Sequence, residues 1–64
     1  MQEGTVKFFN STKGFGFITP ANGGADVFVH VSGLQSDIYE NDRVTYEVQE
    51  GKKGLNAVNV RLAN

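Results

Sequence analysis

The sequence predicts an all-β fold, a five-stranded antiparallel barrel, on three observations. Five short stretches alternate apolar with polar or ring-bearing residues at a period of two, as half-buried strands do. No stretch holds a 3.6-residue period over the length of an ordinary helix. At 64 residues the chain is too short to lay a second layer over an open sheet. Closing the sheet on itself builds a core and removes exposed edges together.

The first strand is expected over residues 5–10, rich in β-branched and aromatic side chains, and it ends in the turn-forming run Asn10, Ser11, Thr12, Lys13, Gly14. The second covers 15–19 and stops at Pro20 and the turn Asn22, Gly23, Gly24. The third, over 26–31, is close enough to form a hairpin with it. Residues 32–41 lack a two-residue period and read as a loop with one helical turn near 32–35. Residues 43–49 alternate again, with Val44, Tyr46 and Val48 on one face. Gly51, Lys52, Lys53 and Gly54 form a second hairpin turn, and residues 56–62 complete the series with Val58, Val60 and Leu62 in phase. The expectation is a single domain over 1–64, a barrel of the oligonucleotide-binding (OB) type.

Strand parity also separates two kinds of side chain. Phe15 and Phe17 share one face while Gly16 and Ile18 share the other; Phe28 and His30 lie opposite Val27 and Val29. The aliphatic sides suit a core, which leaves the rings outside. Burying a large apolar side chain is worth ~1.5–3 kcal/mol, so leaving Phe15, Phe17 and Phe28 in water forgoes roughly 5–9 kcal/mol gross. Total stability is typically about 5–15 kcal/mol. A covering layer would recover the loss, but the chain has too few residues to build one. The rings therefore point to a ligand.

Composition narrows its nature. There is no cysteine and one histidine, so neither a disulfide nor a zinc site is expected, and no metal or cofactor is implied. Met1, Gln2, Glu3 and Gly4 contain no basic segment leading into an apolar run, and nothing approaches the length of a membrane span. A cytoplasmic protein without a membrane partner is the expectation. A net charge of −1 and a pI near 5.6 argue against a protein that grips nucleic acid mainly through phosphates. Lys7 and Lys13 nevertheless flank the ring-bearing strands, and Asp37, Glu40, Asp42, Glu47 and Glu50 gather elsewhere. Residues 14–19 lack the third glycine of a dinucleotide fingerprint, and no helix follows them. Ser32 lies two residues after His30 without a third orienting group, so no enzyme is expected.

Residues 4–10, 13–20, 26–30 and 54–60 together closely resemble a bacterial cold-shock protein, a lone cold-shock domain, over essentially the whole chain. Residues 13–18 also nearly fit the first motif of the RNA-recognition fold, but that fold needs two packed helices that this pattern lacks. The resemblance implies that Phe8, Phe15, Phe17, Phe28 and His30 form a stacking platform for bases. It implies that Lys7, Lys13 and Lys53 lie near phosphates. It puts Asn10 and Asp26 where relatives use polar side chains on base edges, with a turn-holding role as the alternative for both. The implied partner is single-stranded RNA or DNA, and the implied activity is that of a passive, ATP-independent RNA chaperone in cold-shock response or in regulation of transcription or translation. A monomer is expected, with strand exchange between two copies through residues 32–41 left open. The alternative is a small OB-type interaction module whose ring patch binds a protein.

Three departures from the family pattern predict a smaller platform. Phe8 stands where most members carry tryptophan, Val31 where many carry another aromatic residue, and the loop over 36–42 is shorter, with Tyr39 as a partial substitute for a ring lost there. Parity raises one conflict. Val6 and Phe8 should share a face, yet the resemblance puts both Lys7 and Phe8 at the binding surface. A twist or bulge in the first strand would reconcile them and turn Phe9 toward the core.

Overall fold

A computed structural model describes residues 1–51 and 54–63. Five strands, β1 (Gln2–Asn10), β2 (Phe15–Pro20), β3 (Val27–His30), β4 (Arg43–Gly51) and β5 (Gly54–Leu62), close into a barrel in the order β1-β2-β3-β5-β4. Every strand falls where the alternation put it, lengthened or trimmed at its ends. Four seams are antiparallel and β3 pairs with β5 in parallel. The parallel seam is forced by counting. Strands that alternate in direction around a closed ring must be even in number, so a ring of five leaves one pair running the same way.

Val6, Ile18, Val27, Val29, Ile38, Val44, Tyr46, Ala57 and Val60 form the buried core, with Phe9, Leu34 and Val48 packed against it. The aliphatic faces of β2 and β3 point inward, as parity requires. Two bulges adjust that parity. In β1, Val6 pairs with Ile18 but Phe8 pairs with Phe17, so Lys7 is an extra residue. Val6 is buried while Lys7 and Phe8 are both exposed, and Phe9 turns back to the core above Gly16. Gly16 has to be glycine there, because a Cβ would meet the Phe8 carbonyl and come within 2.8 Å of the Phe9 ring.

The second bulge corrects an expectation. Val58, Val60 and Leu62 do not share an inward face: Ala57 and Val60 are buried, Val58 is half-buried and Leu62 is exposed. From Thr45↔Arg61 to Glu47↔Val58, β4 advances two residues while β5 moves three. The surplus is taken up beside Asn59, whose φ of 54° is left-handed.

The segment over 31–42 begins with a 3-10 turn, Val31–Gly33, and then caps one end of the barrel. Leu34 bridges to Val60 and the Gln35 N–H donates to the Val60 carbonyl at 2.7 Å. Ile38 plugs the end. Val6 and residues 41–42 exchange backbone hydrogen bonds of 2.8 Å, which tie the segment to β1 just before its bulge.

Candidate nucleic-acid interface

The outer face of β1, β2 and β3 carries a continuous strip of rings. Phe17 lies opposite both Phe8 on β1 and Phe28 on β3, and Phe15 lies opposite His30. Ring centroids are 5.6 Å apart for Phe8 and Phe17, 5.7 Å for Phe17 and Phe28 in an edge-on arrangement, and 6.0 Å for Phe15 and Phe28, nearly parallel. These spacings are those of favourable aromatic pairs, so the rings brace one another sideways. Phe15, Phe17 and Phe28 remain half-buried, Phe8 is 37% exposed, and His30 is exposed. Together they form a surface.

The bulge at Lys7 puts Phe8 on this strip and leaves Lys7 at its border. There Lys7 Nζ donates to Asp26 Oδ2 at 3.0 Å, and Thr19 Oγ1 donates to Asp26 Oδ1 at 3.2 Å. The Lys7 hydrogen bond holds the Asp26 carboxyl below its usual range, aided by the lysine's charge and the Thr19 hydroxyl and opposed by desolvation. Lysine and aspartate, named separately from the sequence, form one charge pair.

Asn10 and Lys13 belong to the β1–β2 turn. The Asn10 side-chain oxygen accepts from the Lys13 backbone N–H at 3.0 Å, and Gly14, at φ 78°, returns its N–H to the Asn10 carbonyl at 2.8 Å. Asn10 thus holds a turn, the alternative weighed for it. The Lys13 side chain is exposed. Lys53 lies outside the described residues.

Sequence reasoning passed over two contributors. Leu55, at the start of β5 and 52% exposed, borders an open trough of about 410 Å³ with Phe17, Phe28, Asn22 and Asp26. Thr19 fixes the second oxygen of Asp26. An exposed leucine beside a hairpin turn was the available signal for the first. At the opposite end, Val31 and Tyr39 line a smaller trough of about 250 Å³ with Phe9, Ser11, Leu34 and Ile38.

The model of the family described as the 'Cold-shock' DNA-binding domain matches residues 2–63. The chain belongs to the cold-shock domain family. It is 55% identical over 64 residues to the major cold shock protein of Micrococcus luteus, covering 94% of this chain and 96% of that protein. It is 56% identical over 61 residues to the cold shock-like protein CspA of Shewanella violacea, covering 89% and 87%. With the cold shock-like protein CspC of Escherichia coli K12 the identity is 53% over 62 residues, covering 91% and 90%. The solved structure of drosophila Unr CSD456 superposes with a TM-score of 0.81 over 98% of this chain at 24% identity, which shows a shared fold. The chain spans 26% of that structure. The cold-shock barrel of this chain is that of a nucleic-acid-binding protein.

Proposed function

We propose that this cold-shock domain binds unpaired RNA or DNA by stacking bases on Phe8, Phe15, Phe17, Phe28 and His30, with Lys7 and Lys13 near the backbone and Asp26 at a base edge. By holding strands open it acts as a passive, ATP-independent RNA chaperone, cytoplasmic and monomeric, without catalysis. The observation that carries this reading is the strip of mutually braced, solvent-facing rings on the outer face of β1, β2 and β3, whose inner face is already a packed apolar core.

Stacking contributes ~1–3 kcal/mol per base and tolerates any base, so four or five rings supply of order 5–10 kcal/mol gross. About three phosphate contacts give a logarithmic salt slope near −2 on a single strand. Stacking therefore dominates, and paired bases, which do not splay onto a flat surface, are excluded.

Fluorescence anisotropy tests this with a labelled pyrimidine-rich heptanucleotide, the same sequence as duplex, and the wild type beside Phe17→Ala. Binding confined to the single strand, weakened about tenfold or ~1.4 kcal/mol by the substitution, is the expected outcome. A wild type that binds neither strand form but forms a concentration-dependent dimer hiding the rings would make the patch a protein interface instead.

A further inference from the structure

We propose that Ser32 is a positioning residue for the His30 ring: by fixing the ring's tautomer it gives the aromatic strip one directed hydrogen-bond donor, His30 Nε2–H, for an acceptor oxygen of the bound strand. The proposal rests on the single-strand-binding reading above and adds to it one directed polar contact that stacking alone lacks.

His30 is the N-cap of the 3-10 turn Val31–Gly33, with extended backbone at φ −107° and ψ 151°. Its Nδ1 accepts the backbone N–H of Ser32 at 3.2 Å, and Ser32 Oγ lies 2.9 Å from the same nitrogen. A backbone N–H only donates, so Nδ1 must present its lone pair. A neutral imidazole has one donor and one acceptor nitrogen. The ring hydrogen therefore sits on Nε2, and the hydroxyl of Ser32 turns its own hydrogen toward Nδ1. An untethered imidazole exchanges tautomers and swings about its side-chain bonds; this one is tied to the residue two positions on.

The consequence lies in what the other rings lack. Phe8, Phe15, Phe17 and Phe28 offer π-faces and no hydrogen-bonding group, which makes them indifferent to base identity. His30, exposed and opposite Phe15 at one end of β2, is the one member of the strip with an N–H. With Nδ1 occupied, the outward group is a donor. It matches an oxygen acceptor and is mismatched to an exocyclic amine. Two sources carry such an oxygen, a base carbonyl and a backbone phosphate.

Ring-nitrogen NMR of the free protein tests the tether first. With the ring neutral, at about pH 8.5, ~2 units above the ordinary imidazole value, His30 should be Nε2–H to a greater degree than the same residue in an unfolded peptide. Ser32→Ala, which leaves Nδ1 only the longer backbone donor at 3.2 Å, should weaken that preference without abolishing it. A wild-type tautomer ratio equal to that of the unfolded peptide overturns the tether, and a preference undiminished in Ser32→Ala gives it to the backbone alone and overturns the positioning role of the Ser32 hydroxyl.

Affinity measurements on thymidine heptamers test the donor. Each base in turn is replaced by difluorotoluene, which keeps the ring shape without carbonyl oxygens, and each linkage in turn by methylphosphonate. In one series one position should cost the wild type about fivefold, the net worth of a single hydrogen bond, and His30→Phe, which can still stack, should show no penalty there. A loss in the base series identifies a carbonyl and one in the linkage series a phosphate. Identical profiles for wild type and His30→Phe overturn the proposal. Failure of every heptamer to bind removes the single-strand reading and the donor's role with it, whatever the tautomer.

Discussion

β2 and β3 each present two faces made from alternate residues, and the faces obey opposite rules. On the inner face Ile18 and Val29 are fully buried in the apolar core. On the outer face, one peptide unit away in each case, Phe17, Phe28 and His30 meet solvent. The larger side chains, which would gain most from burial, are the ones left out. On the proposed function, stability and binding fall to different parities of the same strands, and a substitution should disturb one with little effect on the other.

The sharpest test sets the faces against each other. Ile18→Ala empties a core position and should cost about 2–5 kcal/mol, a large part of the stability of so small a barrel, read as a lower denaturant midpoint. The fraction that stays folded should bind an oligonucleotide as the wild type does. Phe28→Ala should do the reverse: it removes the ring between Phe15 and Phe17 and should weaken binding by ~1–3 kcal/mol, with a melting shift much smaller than that of Ile18→Ala. Equal melting shifts for the two would erase the distinction between the faces.

A smaller effect concerns the length of the outer face. Val31 sits just past His30, exposed, where a ring would extend the strip. Val31→Phe should tighten a pyrimidine-rich hexamer by up to ~1 kcal/mol, the low end of one stacking contact, measured by anisotropy. Unchanged affinity would mean that the strip ends at His30 for reasons other than the missing ring.

The smallest effect is electrostatic. Because the folded state holds the Asp26 carboxyl below its ordinary range, its pairing with Lys7 adds stability above that ordinary value. This contribution is lost as pH falls through the lowered one. Asp26→Asn should flatten the loss of stability below about pH 4 in acid titrations followed by fluorescence or circular dichroism. It also frees Lys7 for phosphate, so the salt slope of binding should steepen by somewhat less than one unit.

The two bulges differ in how far they were legible. The one in β1 announced itself as a conflict: Lys7 and Phe8 are adjacent, so parity forbids their sharing a face unless a residue is inserted, and Lys7 is that residue. The one in β5 gave no such sign. Asn59 is a polar residue in an apolar strand, an ordinary thing on a half-exposed face, and only its left-handed backbone shifts the inward position to Val60. Leu34 and Ile38 were illegible for another reason. They plug the barrel end from a segment with no repeating geometry, so no period marks them. The pairing of Lys7 with Asp26 joins residues 19 apart, a proximity that depends on how β1, β2 and β3 line up.

By itself the sequence determined the number and order of the strands, the division of β2 and β3 into an aliphatic and a ring-bearing side, and the family. Each is a local property, because alternation, turn chemistry and motif spacing are set within a few residues. Only the tertiary structure decided the parallel β3–β5 seam, the phase of β5, the plug over the barrel end, and the partners of Asp26 and of Asn10. The seam, the phase of β5 and the plug depend on closure, and the Lys7–Asp26 pair on the register of β1, β2 and β3. A ring of five strands must absorb one mismatch of direction and, in β1 and β5, a surplus residue, and where it does so is fixed by the fit of the whole ring. The Asn10 contact is local, but an amide beside a turn can as well face a ligand as hold the backbone, and only the folded geometry chooses between them.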